Sequence, residues 1–535
     1  TRALAKDPAQ RYQRMSEMAD DLDLLKESVH REAKTPATRA AGAKRIRLWT
    51  GLAAVVIVAI LALVLGRHYF LKPSEKPITS VAVLPFQNMS ADPEQEYFSD
   101  GMTEAIIKEL SQIKALRVIS RTSVMRYKKT EKGVPEIARE LGVDAIVEGS
   151  VLRAGNDVRI TAQLIAAHPE KHLWADDFTR TLENVLMLQS DVARAIAREI
   201  NVAVTPAEQE RLARARVVNP EAHEAYLKGK YFWGKSMPAD WYKSIQYFQQ
   251  AIDKDSTYAQ AYAGMAEAYD NLASMGIEPP RKMWPKVKQY TEKALSLDPS
   301  LAEGMLLKAD VKFCWDWDIK GAEEEYKRAI ELDPNLPLAH FWYGYYLVTQ
   351  KRFEEGRVEM REALRVDPLC AIYMQDIGYS YALAGECDSA LVYVRRAAEL
   401  DSTVSLISTT GTYAYLRQGK FDKAIEEAKK GAAKGIVPSL ELLIIAYARS
   451  GQMDKARESL AQLFKRMGSS YLQPTAMVEI YCAFGDRGKA LEYLEKSYRD
   501  RDPNLIMPAL WSPWCDYLKS DPRYKEIMRK AGVEK

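Results

Sequence analysis

The chain has 535 residues, 47% of them hydrophobic, and its 76 basic and 73 acidic residues give a net charge of +3. This length suffices for several domains with apolar cores. The near balance of charge excludes a global field of the kind that attracts nucleic acid, so we expect no nucleic-acid partner. The five cysteines are spaced irregularly, which is typical of neither a disulfide framework nor a metal site, and we predict no metal ligands.

The first predicted element covers residues 1–33. Asp7 followed by Pro8 fits a helix N-cap with a first-turn proline, and an amphipathic helix follows over residues 16–25. With its Lys-Asp-Pro at 6–8 and Arg-Tyr-Gln at 11–13, the segment resembles the end of the C-lobe of a bacterial serine/threonine protein kinase domain. Because the chain starts at Thr1, we expect it to be part of a longer protein.

The motifs that kinase catalysis requires are missing from the chain, namely the Gly-rich loop, the strand lysine, His-Arg-Asp and Asp-Phe-Gly. Without them phosphoryl transfer has neither metal ligands nor a base, so we predict that this chain is not an enzyme and has no catalytic residues. The kinase resemblance implies ATP and magnesium only for a kinase domain upstream, and we expect no cofactor in this chain.

A membrane-spanning segment is predicted next, after a basic juxtamembrane linker at 34–47. Residues 48–65 carry no charge, and as a helix they would span about 27 Å, close to the hydrocarbon thickness of a bilayer. Aromatic residues at both ends extend the predicted transmembrane helix to 48–70. More basic residues precede the run than follow it. This predicts a single-pass protein of the plasma (inner) membrane, with a cytoplasmic N-terminus and extracytoplasmic (periplasmic) residues 71–535.

Residues 78–204 are predicted to form a small α/β (α+β) domain. Val158, Ile160 and Ala162 alternate with polar residues, which is the period of a half-buried antiparallel strand. The predicted elements are, in order, strand 80–86, helix 99–113, strand 116–120, helix 134–141, strands 143–153, 157–166 and 172–178, and helix 182–202.

Five motifs give this region a family resemblance. They are Val-Ala-Val-Leu-Pro-Phe from 81, Tyr-Phe-Ser-Asp-Gly-Met-Thr-Glu from 97, Val-Ile-Ser-Arg-Thr-Ser from 118, Gly-Ser-Val from 149 and Arg-Ile-Thr-Ala-Gln-Leu from 159. With them the region resembles the TolB N-terminal-like, or FlgO-like, domain of bacterial envelope and signalling proteins. The resemblance implies a non-catalytic module at the cell envelope.

Residues 219–535 carry a period of about 34 residues. Apolar helical runs end in Asp-Pro at 298, 333 and 367, and the same period continues at Asp401. Small residues mark the start of the predicted second helices at Ala322, Gly356, Ala390, Ala424, Ala456 and Ala490. Such a period predicts a solenoid whose helix pairs bury their apolar faces by stacking. The region resembles the tetratricopeptide repeat (TPR) family, and we predict about eight helix pairs with a C-terminal cap. The second helices are predicted near 240–253, 284–297, 320–332, 354–366, 388–400, 422–434, 454–466 and 487–499.

Residues 229–236 also match the P-loop expression G-x-x-x-x-G-K-[ST]. A phosphate cradle requires a preceding strand and small residues that expose backbone N–H groups. Here a helical segment precedes the match, and Tyr231, Phe232 and Trp233 would crowd the loop. We therefore interpret these aromatic residues as core of the first repeat and predict no nucleotide site.

The predicted binding surface is the groove of the solenoid. Gly344 and Gly378 are expected to face the second helix of their pair, and residues about 60–100° further round the first helix should face the concave side. The candidate binding residues chosen in this way are Phe341, Tyr345, Gln375, Tyr379 and Tyr413. Aromatic grooves suit extended peptides or partner helices, so the predicted partner is a protein or a peptide. The alternative is that these side chains pack against neighbouring repeats.

The predicted fold class is therefore multidomain, with a single transmembrane helix, a small α/β (α+β) domain and an all-α TPR solenoid. The predicted function is the membrane-anchored sensory and protein-interaction region of a receptor-type bacterial serine/threonine kinase, with signal passed by self-association. Two alternatives remain open at this point. The intact product is an active ATP-dependent kinase, or the same sensory half is coupled to a cyclase or a transcriptional output.

Overall fold

A mixed sheet of six strands opens the part of the chain that the computed structural model describes, which is residues 77–533 without 91, 93, 94, 207, 210–218, 236, 469 and 508–511. The strands are β1 (Ser80–Val83), β2 (Gln87–Asn88), β3 (Arg117–Val118), β4 (Ala145–Ala154), β5 (Asp157–Ala167) and β6 (Glu170–Thr181). Their order is β3-β1-β4-β5-β6, and β2 pairs with β4. β1 runs parallel to β3 and β4, whereas β4, β5 and β6 form an antiparallel meander.

The burial of each strand explains its sequence. β1 lies between two neighbours and all four of its residues are buried, so it is a continuous apolar run. In β5, Val158, Ile160 and Ala162 are buried while Arg159 and Thr161 are exposed, as the alternation predicts. The helices α1 (Glu96–Ser111), α2 (Arg121–Val124), α3 (Val134–Leu141) and α4 (Val185–Ile200) complete this region, which we call the sheet region.

The rest of the described chain is built from helix pairs. The first helices of the pairs are α5 (Pro220–Trp233), α7 (Ala259–Ser274), α9 (Ala302–Asp310), α11 (Pro337–Thr349), α13 (Ala371–Ala384), α15 (Ile407–Arg417), α17 (Val437–Arg449) and α19 (Pro474–Phe484). The second helices are α6 (Pro238–Lys254), α8 (Pro280–Leu297), α10 (Ile319–Leu332), α12 (Phe353–Val366), α14 (Cys387–Leu400), α16 (Phe421–Ala433), α18 (Met453–Met467) and α20 (Arg487–Asp500). The TPR-like solenoid is thus confirmed, and each second helix lies within a few residues of its prediction.

The aspartates of the period cap the turns between pairs. The Asp333 carboxylate accepts the N–H of Asn335 at 3.0 Å, and Asp298 accepts that of Ser300 at the same distance. An aspartate that bonds the backbone two residues ahead stabilises a turn, and a following proline prevents the helix from continuing. This explains the Asp-Pro pairs at 298, 333 and 367.

The first helices form the inner layer of the solenoid. Consecutive first helices from α11 to α19 contact each other, whereas second helices chiefly contact their own partner and the next first helix. Because stacked pairs approach most closely on the concave side, the face of α11, α13, α15, α17 and α19 that points away from the second helices is the inner face.

Two buried hydrogen bonds and a more exposed ion pair join the sheet region to the solenoid, and we call them the seam. The Ser111 hydroxyl donates to Asp333 at 2.9 Å, and the Ser123 hydroxyl donates to Asp367. Arg126 pairs with Asp401 at 3.3 Å. Three aspartates that the period places 34 residues apart therefore also hold the sheet region, a role that the period alone did not predict.

The predicted β3 at 116–120 is shorter in the structure because of this seam. Its strand ends at Val118, and the Ser120 N–H donates to the Val366 carbonyl of the solenoid at 2.9 Å. A backbone group that bonds the solenoid is not free to extend the sheet. The chain instead turns into α2 at Arg121.

The predicted fold class and location need correction. No helix in the part of the chain that the structure describes is long and apolar enough to cross a membrane. The fold found is a small mixed sheet with a TPR-like solenoid, so the multidomain class with a single transmembrane helix is wrong, and so is the single-pass inner-membrane location built on it. The kinase-like segment, the basic linker and the apolar run at 48–70 all lie outside the described residues.

Candidate binding groove

The segment that matches the P-loop expression is helical through Trp233 and forms the end of α5. Most of its backbone N–H groups therefore donate hydrogen bonds within the helix and are not exposed in a loop. A Cβ atom at Gly229 would stand 2.5 Å from the Phe248 ring, so this glycine permits close packing of α5 on α6. Phe232 stacks on Tyr247 with ring centroids 5.3 Å apart. Phe232 therefore packs on the second helix of its pair, whereas Tyr231, Phe232 and Trp233 are half-buried rather than fully in the core.

The five candidate residues fall into two groups. Phe341 is buried and stacks on Tyr373 with centroids 4.6 Å apart, and the buried Gln375 donates to the Thr410 hydroxyl at 2.5 Å. These two residues pack between repeats. Tyr345, Tyr379 and Tyr413 contact the same apolar cluster as Phe341, and within it Tyr379 meets Tyr413 edge to face at 5.9 Å.

Tyr379 and Tyr413 line a cavity of about 230 Å³ on the inner face, which we call the groove cavity. Its wall is formed by α13, α15, α17 and α19, together with residues from the segment that follows α20. The lining residues are Tyr379, Thr409, Tyr413, Pro438, Glu441, Leu442, Ile445, Gln473, Thr475, Ala476, Glu479, Asn504 and Ser512.

Two positions of the repeat account for much of this wall. The repeat position that holds Tyr379 and Tyr413 holds Ile445 and Glu479 in the next two repeats. The repeat position four residues earlier holds Thr409, Glu441 and Thr475. Residues four apart lie on the same helix face. Glu441 and Glu479 are not among the residues predicted from the sequence, although the spacing of the repeats indicates them. Ala424 and Ala456, which mark the sixth and seventh pairs, are 32 residues apart, two fewer than the period. When this difference is allowed for, Glu441 aligns with Thr409 and Glu479 aligns with Tyr413.

The two glutamates stand in unlike surroundings. Glu441 is half-buried and has no hydrogen-bond or ion-pair partner among the described residues, and burial alone raises the pKa of its carboxyl to about 7. Glu479 accepts the Ser512 N–H through Oε1 at 3.0 Å, while its buried Oε2 lacks a partner. Burial also raises the pKa of Glu479, and the bonds from Ser512 and its neighbours oppose that rise.

A third polar group in the wall also lacks a partner. Tyr413 is only 4% exposed, and its hydroxyl has no hydrogen-bond partner in the described part of the chain. Its ring meets Trp514 with centroids 6.0 Å apart. Trp514 opens the short helix Pro513–Ser520, so the segment after α20 returns to the inner face and forms one end of the groove cavity. Two buried polar atoms without hydrogen-bond partners, the Tyr413 hydroxyl and Glu479 Oε2, thus belong to residues that line the same cavity.

Basic residues are scarce on the inner helices. α13 and α19 contain no lysine, arginine or histidine, and α15 and α17 each carry one arginine at the last residue. α11 carries His340, which bonds Glu359 of its partner helix at 2.7 Å. The described residues that line the groove cavity include no basic side chain. Nor do the described residues hold a group of three or more His, Cys, Asp or Glu side chains arranged to bind a metal. The inner face is thus aromatic and acidic.

One family model matches the sheet region. The family model described as "HilA/YgeH-like transcriptional regulator, second domain" matches residues 77–195. The family matched is therefore not the TolB-like or FlgO-like one that we predicted, and the kinase resemblance has no support among the matches.

The similar curated proteins carry two different kinds of name. "Putative adenylate cyclase 3" of Rhizobium meliloti (strain 1021) is 44% identical over 151 residues, which is 28% of this chain and 26% of the relative. "Transcriptional regulator HilA" of Salmonella typhimurium is 22% identical over 300 residues, 55% of this chain and 52% of the relative. The chain spans about a quarter of the first relative and about half of the second.

Solved structures similar to the chain are helical-repeat proteins of low identity. The complex Cut9-Hcn1 of the APC/C gives a TM-score of 0.39 at 14% identity, covering 65% of this chain and 63% of that chain. Yeast Tom70 gives 0.37 at 12% identity, covering 65% and 83%. The type IV pilus biogenesis factor PilW gives 0.33 at 16% identity, covering 40% and 94%. At these scores the solenoid assignment rests on the helix pairs themselves.

Proposed function

We propose that this chain is the protein-binding, regulatory part of a signalling protein, and that the inner face of its solenoid captures an extended segment of a partner protein. The observation that carries the proposal is the groove cavity, whose wall is formed by four consecutive first helices and contains polar atoms that no described residue satisfies. An extended peptide would bury the half-exposed aromatic side chains and supply partners for these atoms.

The names of the relatives support a regulatory part rather than an output domain. One relative is named an adenylate cyclase and the other a transcriptional regulator, so proteins with different named outputs share similarity with this chain. Similarity to proteins with different named outputs supports a role for this chain in receiving a signal. The fold alone does not indicate the function, because one fold serves many functions.

Selection from a library of random dodecapeptides displayed on phage tests the binding proposal. The purified 535-residue chain should select peptides, and Tyr379→Ala with Leu442→Ala should weaken their binding at least about tenfold, because truncating a central aromatic anchor typically costs more than 1 kcal/mol. Fluorescence polarisation of the synthetic peptides measures the change.

The matched control removes a tyrosine and an aliphatic residue from second helices. Tyr242 on α6 is 42% exposed and Val392 on α14 is 37% exposed, so Tyr242→Ala with Val392→Ala should leave the affinity unchanged. Failure to select any peptide, or an equal loss of binding in both double variants, would contradict the proposal.

A second proposal concerns the output of a protein that would contain this chain. We propose serine/threonine kinase activity, supported by the kinase-like Lys-Asp-Pro at 6–8 and Arg-Tyr-Gln at 11–13, with a cyclase as the competing output. The full-length gene product incubated with radiolabelled ATP and magnesium should label itself or a protein substrate on serine or threonine. Formation of cyclic AMP without labelled protein would select the cyclase instead.

A further inference from the structure

We propose that the groove cavity binds a lysine or arginine side chain presented by the extended partner segment. This deepens the proposed function and rests on it. The inference concerns the chemistry of one cavity, formed around Glu441, Glu479, Tyr379 and Tyr413.

The size of the cavity suits one side chain. Pockets for whole small ligands usually measure about 300–1,000 Å³, whereas the groove cavity measures about 230 Å³. Asn504 and Ser512 form part of its wall, from the segment that follows α20. An extended peptide on the inner face would therefore place a single long side chain into it.

The charge of the cavity has one sign. Two carboxylates line it and no basic residue does, within the described part of the chain. Neither carboxylate has an ion-pair partner among the described residues, and Glu479 accepts the Ser512 N–H through Oε1. Arg417, at the end of α15, opposes the rise that burial causes in the pKa of Tyr413, but it is not one of the residues that line the groove cavity. A carboxylate removed from water without a cationic partner is costly, and a cation in the cavity would lower this cost for both glutamates.

The remaining wall fits a cation as well. A cation near the face of an aromatic ring is attracted by the ring quadrupole, and Tyr379 and Tyr413 provide two rings at 5.9 Å from each other. The Tyr413 hydroxyl and Glu479 Oε2 are buried atoms without hydrogen-bond partners, and both can accept from an ammonium or a guanidinium group. Tyr413 thus adds to the wall a buried hydroxyl that makes no hydrogen bond among the described residues, although burial raises its pKa and Ser512 and Arg417 oppose that rise.

The phage selection, repeated with Glu441→Gln and Glu479→Gln, tests this chemistry. Peptides selected by the unmodified chain should be enriched in lysine or arginine at one position, and those selected by the double variant should lose that enrichment. Replacement of the basic residue by leucine in the most enriched synthetic peptide should weaken binding to the unmodified chain about 10- to 100-fold and leave binding to the variant nearly unchanged. Separate lysine and arginine versions of the peptide decide which cation the cavity prefers.

The matched control is Glu426→Gln with Glu458→Gln, which removes the same charge from exposed positions on α16 and α18. It should retain the enrichment. Circular dichroism melting checks that both double variants fold. Selection of peptides without basic enrichment, or enrichment that survives in the Glu441 and Glu479 variant, overturns the cation proposal while the binding proposal stands. Selection of no peptide at all overturns both.

Discussion

Asp333 has two structural roles, of which the sequence indicated one. Asp333 ends α10 and caps the next turn, yet its carboxylate is also buried in the seam, where it accepts from the Ser111 hydroxyl. Burial raises the pKa of Asp333 to about 6, and the bonds from Ser111 and the Asn335 N–H partly offset this rise. The stability of the seam is therefore linked to protonation.

The direction of that linkage follows from the sign of the shift. A pKa raised above the ordinary value of about 3.8 means that the folded protein holds the proton more tightly than the unfolded chain. The contribution of Asp333 to the free energy of unfolding is present below pH 4 and is lost as the pH rises towards and through 6. The loss amounts to roughly 3 kcal/mol, at 1.36 kcal/mol for each unit of pKa.

Urea unfolding between pH 4.5 and 7 checks this prediction. The difference in unfolding free energy between the unmodified chain and Asp333→Asn should shrink as the pH rises, because only the unmodified chain loses the proton. Asp298→Asn is the control, since Asp298 caps an equivalent turn through the Ser300 N–H and hydroxyl. Parallel curves for the unmodified chain and Asp333→Asn would show that the seam does not depend on this carboxyl.

At the scale of elements, each pair depends on the close approach of its two helices. α11 and α12 cross at Gly344 and Gly356, where a Cβ atom at Gly344 would stand 2.7 Å from the Gly356 carbonyl oxygen and 2.8 Å from Met360 Cγ. The backbone carbonyl cannot move away without shifting a whole helix. The prediction that the small residue of the first helix faces its partner is correct for this pair.

Gly344→Ala should therefore destabilise the chain by about 1–3 kcal/mol, the usual cost of overpacking a tight contact. Urea unfolding or the shift in melting temperature measures the change. Gly488→Ala is the matched control in α20, because a Cβ atom there meets only Asp486 Oδ1 at 3.6 Å. Alanine is the better helix former, so the control should be as stable as the unmodified chain or slightly more so. Equal stability of both variants would show that the pair can relax.

At the scale of the whole described chain, the seam and a shared core join the sheet region to the solenoid. The largest apolar cluster runs without a break from Val81 in β1 to Val311 after α9. Across the seam, Asn335 Nδ2 donates to the carbonyls of Ser111 at 2.8 Å and Leu116 at 2.9 Å. The sheet region is consequently held against the turns of consecutive repeats, while the inner face around the groove cavity stays open to a partner.

The helices and most strands could be predicted because they depend on local periodicity. The 34-residue period and the Asp-Pro turns are visible in the chain, and apolar alternation identifies β5. The candidate site was only partly accessible to this reasoning. Tyr379 and Tyr413 were named and lie at the groove cavity, whereas Phe341 and Gln375 are used in packing. Angles around an isolated helix do not tell which side chain the next repeat covers.

The sequence by itself determined the helix pairs, their turns and the small residues at their crossings, because each of these depends on interactions within about one repeat. Only the tertiary structure decided that Asp333, Asp367 and Asp401 hold the sheet region, and that Glu441, Glu479 and Tyr413 share one cavity. The physical reason is that both arrangements join residues far apart in the chain. Their geometry follows from the curvature of the stacked helices and from the returning segment at Trp514.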